Sequence, residues 1–300
     1  MSIKKIHRIY FGFDGKPDPY QGYLSTWTAQ LPGYEICHWN ASNLPVNQCF
    51  FSRMMFELKD HAFLSDYFRW WVLREHGGIY LDADIELVNG LKFNQIIEDL
   101  ESDSVLHAVI GIDNKNGGWY TGHSMACKPQ SELASFMCEV YEGLGHVSLW
   151  RRKIFYFMAP QITALYFATK GWNADGMGSS PGLNDPIVRF GVKIYPQDYF
   201  SPMTPHVEHG VGSFVIDSYT ENTVLCHHFS CSWHDDNSPY KKQVGTQTQN
   251  LLIRQLIAMK AGNEQRIGLG YVRRWVRIYK AIARLLARAP EVLSRAIRNA

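Results

Sequence analysis

Two carboxylates, Asp82 and Asp84, stand two residues apart directly after the apolar run Ile79-Tyr80-Leu81. Carboxylate oxygens at the end of a strand make a hard-donor site for Mn²⁺ or Mg²⁺. An ion held there would neutralise a diphosphate and stabilise it as a leaving group. On a surface loop such a pair is ordinarily two solvated acids. Here the pair closes a run that reads as buried, where charge is costly unless a cation or hydrogen bonds compensate it. Upstream, Asp66 and Arg69 are spaced i, i+3 in a helical stretch and so share a helix face.

The elements that must position these groups follow from local pattern. Lys5 to Phe11 predicts a strand, ended by Gly12 and the turn-rich DGKPDP. A short helix over Tyr23 to Leu31 and a strand over Tyr34 to Trp39 come next. From Ser52 to His76 the spacing is helical, with Ser65 as an N-cap, acids early and bases late. Gly77-Gly78 ends that helix, since glycine accepts the left-handed conformation needed there. Ile79 to Leu81 reads as a buried strand and Ile85 to Val88 continues extended. Beyond it lie a strand over Val105 to Ile112 and helices over Ser131 to Gly143 and Ile162 to Thr169. Short strands follow at Val192 to Tyr195 and Thr223 to Cys226. The alternation predicts an α/β domain with a mostly parallel sheet.

The stretch Ser65 to Glu86, SDYFRWWVLREHGGIYLDADIE, resembles the D-x-D sugar-binding region of glycosyltransferase family 32. That family includes bacterial capsule and lipopolysaccharide sugar transferases and the fungal initiating mannosyltransferase. Ser65, Asp66, Arg69, Leu73, Gly77, Gly78, Ile79, Tyr80, Asp82 and Asp84 all match its pattern. IHRIYFG near the start resembles the family's opening strand, and HHFSCSW (His227 to Trp233) its His…Ser-Trp segment. The likeness spans roughly residues 3 to 235, although Met158-Ala159-Pro160 departs from the Gly-Pro common in the family, on the acceptor side.

The resemblance implies a GT-A type nucleotide-diphospho-sugar transferase fold, with a Rossmann-like, mostly parallel mixed sheet flanked by helices. It further implies transfer of a hexose, with retention, from a UDP- or GDP-linked donor to a glycan or glycolipid hydroxyl in bacterial surface polysaccharide synthesis. Asp84 would then be the direct metal ligand, and Asp82 would serve the metal and the ribose. Asp66 and Arg69 would grip sugar hydroxyls and diphosphate, or form no more than a surface ion pair. Tyr80 would lie at the substrate, and Tyr10 would stack on the base unless it is an ordinary strand aromatic. His227 is favoured as a further metal ligand by alignment and His228 by spacing back from Trp233; neutral imidazole suits Mn²⁺. The Trp233 indole N–H would donate to the leaving phosphate, or the ring is simply buried.

The bulk numbers frame this reading. The chain has 300 residues, 46% hydrophobic and 19% charged, as in an ordinary globular protein. Its six cysteines are scattered without metal-type spacing, which predicts free thiols in a reducing compartment. No signal peptide and no spanning helix is read, so a cytoplasmic location follows, peripheral to the membrane. The net charge of +2 is uneven: residues 266–300 hold nine Lys/Arg against one acid, leaving the rest net acidic. We divide the chain into a catalytic domain, 1–265, and this tail. In the tail Val272, Trp275, Val276, Tyr279, Ile282, Leu285, Leu286 and Ala289 recur at helical spacing beside Arg273, Arg277, Lys280, Arg284 and Arg288. Such a basic amphipathic helix suits an anionic bilayer surface in preference to nucleic acid, the alternative being packing on the protein's own core.

Two rival functions stay open on sequence. A D-x-D after an apolar strand also begins haloacid-dehalogenase-type phosphatases, with Asp235-Asp236 as the later acidic pair. The other rival is an inactive, membrane-associated sugar-binding module.

Overall fold

Lys59 takes a left-handed conformation (φ 53°), and this one residue divides the helical stretch expected over Ser52 to His76 into two. The computed structural model describes residues 2–113, 119–143, 159–172, 180–205, 214–216 and 219–228. In chain order the elements are β1 (Lys5–Ile9), α1 (Gln21–Gln30), β2 (Glu35–Trp39), α2 (Phe50–Glu57), α3 (His61–His76), β3 (Gly78–Leu81), β4 (Ile85–Leu87), α4 (Gly90–Ser102), β5 (Ala108–Gly111) and β6 (Ser124–Cys127). They continue with α5 (Glu132–Gly143), α6 (Ala159–Thr169), β7 (Ile187–Arg189), β8 (Val192–Tyr195), α7 (Gln197–Phe200), β9 (Met203–Pro205), β10 (Phe214–Ile216) and β11 (Leu225–His227).

A seven-stranded sheet runs in the order β2-β1-β3-β6-β5-β8-β7. β2, β1, β3, β5 and β8 point one way, and β6 and β7 oppose them. This is the expected α/β architecture: a mixed, mostly parallel sheet flanked by helices. One face packs on α2, α3, α5 and α6 through Tyr67, Phe68, Trp70, Tyr141 and Phe167. The other packs on α1 and α4 through Trp27, Phe93, Ile97 and Leu100. The apolar residues of α4 recur at helical spacing, yet neither α4 nor the antiparallel β6 was anticipated. The basic tail lies outside the described residues.

Ser65 is not an N-cap. Asp60 caps α3, its Oδ1 accepting from Phe63 N at 3.4 Å, while the Ser65 hydroxyl sits one turn inside and donates to His61 O at 2.7 Å. The earlier start adds a turn that carries Phe63 and Leu64 into the core.

The Gly77-Gly78 stop behaves as expected, for a steric reason that sequence does not display. Both residues have positive φ, 63° and 101°. A Cβ on Gly77 would lie 2.5 Å from Pro129 Cδ, and one on Gly78 would lie 2.7 Å from Lys5 O. The chain therefore passes from α3 into β3 flush against its neighbours, and this fixes where β3 begins.

His7 locks the same turn from below. Trp39 Nε1 donates to His7 Nδ1 at 2.9 Å, so the ring proton is on Nε2, which donates to Gly77 O at 2.7 Å. Burial lowers the His7 pKa from 6.5 to about 4. Because the folded pKa is depressed, the unfolded chain takes up the proton first. The stabilisation is complete above pH 6.5 and is lost as pH falls to about 4. The loss amounts to roughly 3 kcal/mol at most. We expect the melting temperature to fall across that window, and the slope to flatten in His7→Gln. An unchanged slope in the variant would refute the assignment.

Candidate active site

β1, β3 and β5 are parallel, so their C-terminal ends open on one edge of the sheet, where the antiparallel β6 begins. Asp82 follows β3 at this edge. Its backbone N–H donates to His123 O at 2.8 Å, and its carbonyl accepts from Ile85 N at 3.2 Å, closing a tight turn. On the other side His228 N donates to Asp84 O at 3.2 Å. The antiparallel pairing of β11 with β4 sets His227 opposite Ile85. A segment from far along the chain is thereby laid against the D-x-D.

The result is a cluster of three possible metal donors. One atom each from Asp82, Asp84 and His227 lie within 4.8 Å of one another. His227 Nε2 is 3.3 Å from Asp84 Oδ1 and 4.0 Å from Asp82 Oδ2. Two hard carboxylates and one imidazole are a donor set that fits Mn²⁺, and Mg²⁺ less closely. Burial alone would push the His227 pKa down, but the charges of Asp84 and then Asp82 outweigh it and raise it. A proton on His227 thus offsets the acids, the part a divalent cation would take over. His228 stands apart from this cluster. Its Nε2 meets Glu86 Oε2 at 2.8 Å and its ring stacks on Tyr23 at 4.5 Å.

Asp66 and Arg69 do form an i, i+3 ion pair, at 3.1 Å, but not at the surface. Arg69 is buried. Its Nη2 also lies 3.6 Å from Asp82 Oδ1, its Nε donates to Ser65 O at 3.2 Å, and its Nη1 donates to Gly122 O. Asp66 Oδ2 accepts from Ala159 N at the start of α6 (3.1 Å). Burial pushes the Asp66 pKa up to about 6 against the pull of Arg69. The guanidinium is therefore a bracket joining α3, the D-x-D and the β5–β6 connection.

Tyr80, which the resemblance assigns to the substrate, has a buried side chain. Its hydroxyl donates to Asp82 Oδ1 at 2.5 Å beneath the Arg69 guanidinium, which lies 5.0 Å over the ring. Two residues apart, Tyr80 and Asp82 lie on the same face of the strand, and the Tyr80 hydroxyl reaches the Asp82 carboxylate from its buried side. Tyr10, just past β1, is half-buried; its hydroxyl donates to Pro17 O at 2.8 Å and its ring sits edge-on to Tyr20. Trp233 and Asp235-Asp236 lie outside the described residues.

Three further residues meet at this edge that sequence reasoning did not single out. His123 Nε2 lies 2.8 Å from Ser201 Oγ and 3.2 Å from Asp113 Oδ1, and Ser201 Oγ donates to Asp113 Oδ1 at 2.7 Å. The His123 ring is 4.3 Å from that of His227. An isolated histidine in YTGHSMAC and a serine after α7 carry no spacing signal that joins them.

The part of the chain that carries this site resembles the D-x-D sugar-binding region of glycosyltransferases. Residues 17–103 match the family described as "Glycosyltransferase sugar-binding region containing DXD motif", and the motif it contains is Asp82-Ala83-Asp84. No curated protein matches the chain. Among solved structures it is similar to the PaToxG glycosyltransferase, at 14% identity and a TM-score of 0.40 over 58% of this chain and 72% of that one. A second is a glycosyltransferase involved in the glycosylation of the major capsid of PBCV-1, at 12% identity and 0.39 over 74% of this chain and 92% of that one.

Proposed function

We propose that the chain transfers a hexosyl group from a UDP- or GDP-linked sugar to a hydroxyl of a glycan or glycolipid, with retention, in the synthesis of a bacterial surface polysaccharide. The observation that carries the reading is the convergence of Asp82, Asp84 and His227 at the sheet edge, within 4.8 Å of one another. These three residues would hold Mn²⁺ or Mg²⁺, which when bound supplies the positive charge that stabilises a departing diphosphate. Tyr80 and Arg69 fix the Asp82 carboxylate from beneath, so its orientation is set before donor arrives. Asp66 is held against α6, at the side of the site where the donor sugar would rest. Tyr10 stands at the end of β1, on the side proposed for the base, and Trp233 is assigned to the leaving phosphate by resemblance alone.

A panel of UDP- and GDP-sugars assayed for Mn²⁺-dependent hydrolysis tests the proposal. One nucleotide class should turn over, and chelation should stop it. Phosphate release from small phosphomonoesters, with every nucleotide-sugar left intact, would instead favour the phosphatase reading. That rival gives no role to the Asp66–Arg69 bracket.

The basic segment 266–300 is proposed to hold the enzyme at an anionic membrane surface, near a lipid-linked acceptor. Each cation near such a surface contributes about 1 kcal/mol. Co-sedimentation of the full chain with phosphatidylserine vesicles should be lost when 266–300 is removed or salt is raised. Equal sedimentation with and without the segment would defeat this assignment.

A further inference from the structure

His227 is the one nitrogen donor in the cluster, and its imidazole must present Nε2 to the two carboxylates. The β4–β11 ladder fixes its backbone, but a backbone pairing leaves the ring free to rotate about χ1 and χ2. The neighbour that faces the ring is His123, 4.3 Å away with the planes inclined by 31°. His123 is itself held. Ser201 Oγ gives its proton to Asp113 Oδ1 at 2.7 Å, so Oγ faces His123 as an acceptor. The His123 ring proton is then on Nε2, shared between Ser201 Oγ at 2.8 Å and Asp113 Oδ1 at 3.2 Å. His123 and Ser201 are buried. The backbone carbonyl of His123 also accepts from Asp82 N at 2.8 Å, so one residue touches the cluster at two of its three members.

We propose that His123 is a positioning residue for the metal centre. Locked by Asp113 and Ser201, it holds the His227 ring against rotation and so sets the affinity of the Asp82–Asp84–His227 site for a divalent cation. The groups that orient a ligating histidine affect metal affinity by about 10–100-fold. Here the device is a tilted ring packed against the imidazole and fixed by hydrogen bonds through its Nε2. The inference rests on the metal reading proposed above and extends it to residues from the β5–β6 connection and from the segment after α7.

The test uses Mn²⁺ alone, titrated into the full chain and followed by electron paramagnetic resonance, with thermal melts in the absence of metal as the control for folding. His123→Ala should weaken Mn²⁺ binding by at least about 10-fold. Ser201→Ala, which deletes only the hydroxyl that holds His123, should weaken it by a smaller factor and broaden the Mn²⁺ signal as the ligand geometry becomes heterogeneous. His123→Phe, which keeps a ring against His227, should recover part of the affinity lost in His123→Ala. If both His123→Ala and Ser201→Ala melt as the native chain does and bind Mn²⁺ equally well, the positioning role is overturned. If His123→Ala does not fold, Ser201→Ala decides alone. If the native chain itself binds no Mn²⁺, the metal reading falls and takes this inference with it. Weak binding in Asp84→Asn beside native-like binding in both His123→Ala and Ser201→Ala would sink only the positioning role.

Discussion

Asp84→Asn is expected to lower Mn²⁺-dependent nucleotide-sugar turnover by on the order of 10²–10³-fold, the usual cost of removing one charge-stabilising group from a reaction centre. The fold should not suffer. Asp84 is buried, its carboxylate beside that of Asp82 and 3.3 Å from His227 Nε2, so at a pH where His227 is neutral, removing one of two like charges relieves repulsion that folding must overcome. The metal-free variant should melt at or above the native temperature, in the manner of sites where function is kept at the expense of stability. A native chain held at 100 times the Mn²⁺ dissociation constant gains about 2.7 kcal/mol from binding. That metal-induced rise in melting temperature should largely vanish in Asp84→Asn. Native-like turnover in the variant would refute the assignment of the site. A melting temperature several degrees below the native value would refute the account of its electrostatics.

Arg69→Met should have the opposite balance, with stability the first casualty. The guanidinium is buried among Asp66, Asp82, Ser65 O and Gly122 O. Methionine matches much of its volume but leaves two carboxylates without their cation. Breaking a buried pair by deleting one partner costs about 3–5 kcal/mol, measurable as a drop in the urea midpoint. The pH dependence carries the diagnosis. Burial already raises the Asp66 pKa to about 6, and the Arg69 charge is what restrains it. Without Arg69 the folded pKa rises further. A group with a raised folded carboxyl pKa costs nothing below its unfolded value and progressively more as pH climbs through the folded one. The deficit of Arg69→Met should therefore be small near pH 4 and grow through pH 6 and above. Arg69→Lys should fall between, since an ammonium restores charge but cannot reach four partners from one plane. A deficit under about 1 kcal/mol at pH 7, typical of an exposed pair, would show that the bracket is not what holds this edge together.

The sequence displayed the left half of this edge well. Strand β1, the helix α3 with its glycine stop, and the acids after β3 are all local features, each set by residues within a few positions of one another. The site residues that depend on that stretch, Asp66, Arg69, Asp82 and Asp84, could be picked from their spacing and their resemblance to a known region. What sequence could not show was direction. Tyr80 matched the family pattern and was expected at the substrate; in the structure its hydroxyl donates to Asp82, a bond that spacing does not announce. Arg69 was expected to grip a ligand or to form a surface ion pair; its guanidinium is buried, bonded to Ser65 O and Gly122 O beside the carboxylates of Asp66 and Asp82. The right half of the edge was invisible for a different reason. β6 is only four residues long, and His123, Asp113 and Ser201 meet through tertiary contacts between distant segments, which no periodicity records. The choice between His227 and His228 had the same character. His227 closes β11 and His228 follows it, and only the pairing of β11 with β4 shows that His227 is the one beside Asp82 and Asp84 while His228 meets Glu86.

The register of β11 on β4 also has a bearing on when activity arises. Asp82 and Asp84 are made early in synthesis, and their supports in β3 and α3 are contiguous with them. The imidazole that completes the trio is made much later, after most of the described strands have left the ribosome. A nascent chain that has folded its first half therefore presents the two acids without the imidazole that the structure sets beside them. On the proposed function, catalytic competence is deferred until Leu225–His227 zips onto Ile85–Leu87, and truncated products that lack this strand are expected to be inert towards donor.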